Sequence, residues 1–184
     1  SAELGNVSPV KFIPVLEETG LIVDIGQWAL RSACRQHMVW IEQGLPPLRI
    51  AVNLSARQLR EDSFVQSVVA IMEETGVSPD ILEIEITESM VMSDATNARA
   101  ALMKLNDLGL RIAMDDFGTG YSSLSYLKNF PIHTIKIDRS FVSDIETSKD
   151  DTALIQTIIQ YSHNTNRKVV AEGVETEQQL SILK

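Results

Sequence analysis

The sequence predicts an α/β protein, a (β/α)8 TIM-like barrel that is incomplete within this chain. Two observations carry that expectation. Strand-like apolar runs alternate with helical patterns along the whole length. Each strand also ends in a polar residue, always on the same face. The strand-like runs are Leu48–Leu54, Leu82–Thr87, Arg111–Asp115, Thr134–Ile137 and Lys168–Ala171.

Between the strands, helices are marked by start and stop signals. A helix spans Gln27 to Gln43. Ser63 is placed to cap another that puts Phe64, Val68, Ile71 and Met72 on one face and closes at Gly76. Ser93 is placed to cap a third, carrying Leu102, Met103 and Leu105 and closing at Gly109. Thr147 to Ser162 repeats the pattern with Leu154, Ile155, Ile158 and Ile159, and a last helix begins at Glu177. Trp28 and Trp40 sit at helical spacing and are expected in the core.

Parity along the strands chooses between a barrel and an open doubly wound sheet. Side chains alternate faces along a strand. Glu85 therefore shares a face with Glu83 and Thr87, opposite Ile84 and Ile86. Lys136 shares a face with Thr134 and Asp138, opposite Ile135 and Ile137. Asn53 joins Ala51, and Asp115 joins Ala113. With the aliphatic face against helices, Asn53, Glu85, Asp115, Lys136 and Glu172 all point inward at the carboxyl ends of consecutive strands. Barrel enzymes keep their active sites there, whereas an open sheet gathers its functional groups at one switch point. Such barrels need about 250 residues. A chain of 184 residues is thus expected to form one domain, residues 1–184, lacking N-terminal strands and a closing C-terminal strand and helix. By itself it is expected to be inactive.

Composition narrows the class. With 44% hydrophobic and 22% charged residues, the chain reads as an ordinary globular domain. It has no apolar run long enough to span a bilayer and no signal-peptide pattern. The net charge of −9 argues against a nucleic-acid polymer as partner, because phosphate backbones are bound by excess Lys and Arg. A small phosphate compound remains compatible if metal ions supply the positive charge. The single cysteine, Cys34, reads as an inert buried thiol and fits a reducing cytoplasm.

The inward-facing set suggests metal chemistry. Glu85, Asp115 and Asp116 are carboxylates and Asn53 offers an amide oxygen, the hard donors that Mg²⁺ and Mn²⁺ prefer. In the adjacent pair Asp115–Asp116, one carboxylate can bridge two ions while its neighbour serves the second, as in two-metal phosphoester cleavage. Lys136 is a fixed cation able to orient a nucleophile or offset developing charge. Glu172 can hold the second metal or accept a proton from water. A satisfied salt-bridge network is the plain alternative. His37, His133 and His163 are scattered, so no histidine metal site is expected. Asp116–Phe117–Gly118 echoes a kinase triplet without the accompanying phosphate loop.

Several segments then match one family. Asn53-Leu54-Ser55-Ala56-Arg57-Gln58 resembles the Asn-x-Ser-x-Arg-Gln segment of EAL domains, and Glu83-Ile84-Glu85-Ile86-Thr87-Glu88-Ser89 is similar to their Glu-x-Thr-Glu-Ser strand. Asp115-Asp116-Phe117-Gly118-Thr119-Gly120-Tyr121-Ser122-Ser123-Leu124 resembles the family's signature loop. Lys136-Ile137-Asp138 and Ala171-Glu172-Gly173-Val174-Glu175-Thr176 complete the series. The resemblance covers essentially the whole chain.

It implies a Mg²⁺- or Mn²⁺-dependent phosphodiesterase that opens the bacterial second messenger cyclic di-GMP to linear pGpG, with two ions per site. Asn53, Glu85 and Asp115 would bind the first ion, and Asp115 would bridge to a second held with Asp116. Lys136 and Glu172 would act on the attacking water, and Glu175 would support the second ion. Glu88 would anchor the Asp116–Ser123 loop, which is implicated in homodimerisation. The resemblance further implies a cytoplasmic domain, or the cytoplasmic part of a membrane-anchored protein, and a fused sensor or GGDEF module. Two rivals stay open here: an inactive EAL-like receptor or interaction module, and an enolase-like barrel with a metal and a Lys base.

Overall fold

The computed structural model describes residues 5–118 and 127–184. Helices α1 (Pro9–Thr19) and α2 (Ile22–Glu42) precede β1 (Ile50–Asn53), α3 (Ala56–Arg60) and α4 (Phe64–Thr75). A 3-10 turn, Pro79–Ile81, leads into β2 (Leu82–Thr87), followed by α5 (Glu88–Ser93), α6 (Ala95–Asp107) and β3 (Arg111–Phe117). The remainder is β4 (Thr134–Ile137), α7 (Arg139–Asp144), α8 (Lys149–Asn164), β5 (Lys168–Ala171) and α9 (Glu177–Leu183).

The five strands form one parallel sheet in the order β1-β2-β3-β4-β5. Every neighbour in space is the next strand in sequence. A doubly wound sheet reverses its strand order at a switch point; this one does not, and so follows the barrel progression. The expected parity holds. Ile84, Ile86, Ile112, Met114, Ile135 and Ile137 are buried in one core with Leu30, Val68, Ile71, Leu102, Leu105, Ile155 and Ile158 from the helices. The opposite face carries the polar residues.

Local signals decide the element ends. Helix α4 closes at Gly76, whose φ is 74°. Ser63 precedes it but makes no side-chain capping bond. The cap of α6 is Asp94, which accepts from Asn97 N at 3.3 Å. The expected cap, Ser93, instead ends α5, a helix with too few apolar positions to register as a period. Helix α8 is capped by Ser148, accepting from Asp151 N at 3.2 Å, so it starts after the expected Thr147. The core assignment of Trp28 is corrected: it is 66% exposed, because helical spacing does not say which face of α2 meets the sheet. Cys34 is fully buried, as expected, and burial raises its pKa. Among the described residues, no helix is long and apolar enough to cross a membrane.

Candidate active site

The carboxyl ends of β2, β3, β4 and β5 meet at one ammonium group. Lys136 Nζ lies 3.0 Å from Glu85 Oε1, 3.1 Å from Asp115 Oδ1 and 2.7 Å from Glu172 Oε1. Parallel pairing produces this meeting. It sets Thr87 beside Asp115, Ala113 beside Thr134 and Lys136 beside Val170, so inward side chains stack toward the same end of the sheet. Burial works against the charge on Lys136, but its bonds to Glu172, Glu85 and Asp115 outweigh that cost and hold its pKa above the ordinary lysine range.

Asn53 is in register with Glu85, and Leu54 N donates to Glu85 O at 2.9 Å. Its side chain is exposed at the open edge of the sheet. One layer deeper, Thr134 Oγ1 donates to the buried carboxylate of Glu83 at 3.0 Å. This contact supports the strand ends from below and went unread in the sequence, although Glu83 and Thr134 share the inward parity.

The Asp115–Asp116 pair needs a backbone device, because successive residues on a regular strand face opposite ways. The β3–β4 register supplies it. Met114 pairs with Ile135 and Phe117 with Ile137, so one extra residue bulges from β3. Asp116 takes the left-handed conformation, φ 53°, which Asp tolerates better than most residues. Its N–H donates to Asp115 Oδ1 at 3.1 Å. Burial, then repulsion from Asp115, Asp138 and Glu172, pushes the Asp116 pKa up, with Lys136 opposing.

Glu88 is 4% exposed at the start of α5. It shares a small cavity with Val91, Met92, Met114, Phe117, Leu127 and Phe130. Phe117 and Leu127 flank residues 119–126, so the expected bonds from Glu88 to that loop, and dimerisation through 116–123, fall mainly outside the described residues. Glu175 stays apart from the Lys136 cluster: it is exposed on the β5–α9 loop, and its backbone N donates to Gln179 Oε1 at 2.7 Å.

Four carboxylates (Glu85, Asp115, Asp116 and Glu172) face one ammonium, which leaves a formal −3 on oxygen donors alone. Such a donor set fits hard divalent cations. Among the described residues, no three acidic, histidine or cysteine groups already form a closed cage; the carboxylates surround Lys136 instead.

Known proteins resemble this chain in sequence and fold. The chain is 44% identical over 179 residues to the bifunctional diguanylate cyclase/cyclic di-GMP phosphodiesterase MucR of Pseudomonas aeruginosa, covering 97% of this chain and 26% of that protein. It superposes on the solved PaMucR phosphodiesterase in complex with c-di-GMP with a TM-score of 0.90 and 44% identity, over 96% of this chain and 72% of that one. A manganese/cy-diGMP complex of Klebsiella pneumoniae BlrP1 matches with a TM-score of 0.74 and 31% identity, over 84% of this chain and 40% of that one. The chain spans about a quarter of the length of the curated relatives it matches. The EAL domain family model matches residues 1–184. With its strand order, its carboxylate-ringed lysine and this match in hand, the chain belongs to the EAL domain family.

Proposed function

We propose that this domain hydrolyses one phosphodiester bond of cyclic di-GMP to linear pGpG, using two Mg²⁺ or Mn²⁺ ions. The observation that carries the reading is Lys136, held by Glu85, Asp115 and Glu172 at the ends of neighbouring strands. Asn53, Glu85 and Asp115 would hold one ion, and Asp115 with Asp116 the other. The ions supply charge neutralisation for the attacking and leaving oxygens. The names of the matched relatives and the nucleotide in the matched structures support the substrate.

The chain's own groups divide the remaining work. Glu172 is the more solvent-accessible carboxylate, its side chain 38% exposed against 9% for Glu85, and accepts the proton of the attacking water. Lys136 fixes the orientation of Glu172 and offsets negative charge that builds on the phosphoryl oxygens. The water oxygen forms a bond to phosphorus, one ester P–O bond breaks, the leaving ribose oxygen takes a proton from solvent, and Glu172 returns its proton to solvent. Glu175 supports the second ion from the β5–α9 loop, and Glu88 anchors the 116–123 loop through which two copies pair. The domain works in the bacterial cytoplasm, alongside a sensor or GGDEF module in a longer protein.

The test is to incubate the full-length natural protein with cyclic di-GMP and to separate the products by chromatography. pGpG should form with Mg²⁺ or Mn²⁺ and vanish with EDTA. Tight nucleotide binding without turnover at any metal concentration would replace this reading with that of a receptor.

A further inference from the structure

Two site-bearing loops are locked by the same device. After Asn53, the chain turns into α3 through a reciprocal cap: Gln58 N donates to Ser55 Oγ at 3.2 Å, and Ser55 N donates to Gln58 Oε1 at 3.1 Å. After Glu172, it turns into α9 through a second one. Gln179 N donates to Thr176 Oγ1 at 3.0 Å, and Gln179 Oε1 accepts from both Thr176 N, at 3.0 Å, and Glu175 N, at 2.7 Å. Both glutamines are buried, 5% and 7% exposed.

These contacts do more than start a helix. At its near end, the β1–α3 turn is fastened by Leu54 N donating to Glu85 O at 2.9 Å. The β5–α9 loop is fastened by Glu172 N donating to Ile137 O at 3.1 Å. The reciprocal caps fasten the far ends, so each loop is held at both ends beside its chemical residue. Each is also backed by a neighbour. Gly26 of α2 lies so close to the Gln58 carboxamide that a methyl group there would overlap it. In the second loop, Gly173, φ 71°, lies against Arg139, where a Cβ would stand 2.7 Å from the Arg139 Cβ. Thr176 Oγ1 additionally donates to Glu146 Oε1 at 2.6 Å.

We infer that Gln58 and Gln179 are positioning residues of the site: Gln58 sets the approach of Asn53, and Gln179 that of Glu172 and Glu175. Neither touches the reacting groups. The inference rests on the phosphodiesterase reading for its activity readout, and on cation binding for a readout that does not need it.

The experiment uses the full-length natural protein. Gln58→Ala and Gln179→Ala are compared with the parent for kcat, KM and Mn²⁺ affinity, the last by titration calorimetry without nucleotide. Groups that orient metal-site ligands cost about 10–100-fold in affinity or activity when removed. We expect kcat to fall within that range for both variants with KM changed less, and Mn²⁺ affinity to fall for Gln58→Ala. Gln58→Glu should restore both values, because Glu serves the same position of a reciprocal cap. Gly26→Ala, on a different helix, should reproduce the Gln58→Ala defect by displacing the carboxamide, and the double variant should be no worse than either single one.

Parental kcat and Mn²⁺ affinity in both alanine variants would overturn the inference. So would a loss that follows only the folded fraction and is not recovered by Gln58→Glu. If an alanine variant fails to fold, Gly26→Ala and Gln58→Glu decide in the same way. A parent that binds Mn²⁺ but never releases pGpG would sink the phosphodiesterase reading instead, and the Mn²⁺ titrations would still settle the role of Gln58.

Discussion

Replacing Lys136 with methionine separates catalysis from cation binding. The side chain is 14% exposed and makes three ion pairs within 3.1 Å. Methionine keeps an unbranched apolar stem, one atom shorter, and removes the charge with its N–H donors. Two effects then oppose each other. Without divalent cation, Glu85 and Asp115 lose their counter-charge; breaking a buried pair costs about 3–5 kcal/mol. The exposed Glu172 pair adds little to that, so a loss near the lower end, about 3 kcal/mol, is expected in EDTA. With divalent cation, removal of a neighbouring positive charge leaves metal affinity equal or stronger. Turnover should still fall, because removing a fixed charge-stabilising donor typically costs about 10²–10³-fold, or about 2.7–4 kcal/mol of barrier. The assay pairs calorimetric metal titration with single-turnover hydrolysis of cyclic di-GMP. Metal binding abolished with unchanged single-turnover chemistry would refute the assignment and make Lys136 a structural support for the ligands.

Three further outcomes are expected. Asp115→Asn should be the most damaging single change, with turnover reduced on the order of 100-fold or more and nucleotide binding partly retained; near-parental hydrolysis would end the metal assignment. Glu88→Ala should cost about 1–3 kcal/mol locally, weakening the second cation site and dimerisation; sedimentation and a mutant crystal check both, and an unchanged loop with two metals speaks against it. His133 should make stability fall on acidification. Its Nδ1 accepts from Ile112 N at 3.2 Å, and desolvation, then Arg111, lowers its folded pKa. A lowered histidine pKa means the unfolded chain takes up protons first. Stability is therefore full above the unfolded value, about 6.5, and is lost as pH falls through it toward the folded one. Melting curves from pH 7 to pH 5 should fall more steeply for the parent than for His133→Gln; equal slopes would dismiss the effect.

The strands and the inward set were legible because both rest on a period of two and on charge at strand ends. Glu85, Asp115, Lys136 and Glu172 meet as their parity requires. Asp116 was legible as a residue but not as a geometry. Regular alternation would turn it away from Asp115, and only pairing with β4 reveals the extra residue. The buried roles of Gln58 and Gln179 were also hidden, although Ser55-x-x-Gln58 and Thr176-x-x-Gln179 match the reciprocal-cap pattern. That pattern marks helix starts without saying what precedes them. Trp28 failed for a related reason: a helical stripe gives an angle but no partner.

The extra residue in β3 makes the domain sensitive to length in a way that substitutions do not expose. An Asp-to-Asn exchange removes charge and leaves the chain path intact. Deleting one residue between Met114 and Phe117 would restore an unbroken two-residue alternation on β3. One of the two aspartates would then be lost, the other would keep the inward parity, and the segment beyond would be drawn back by one step. A single-codon deletion at this place is thus a compact way to remove one of the proposed cation ligands, with the rest of the sheet still paired and the signature of the family still largely readable.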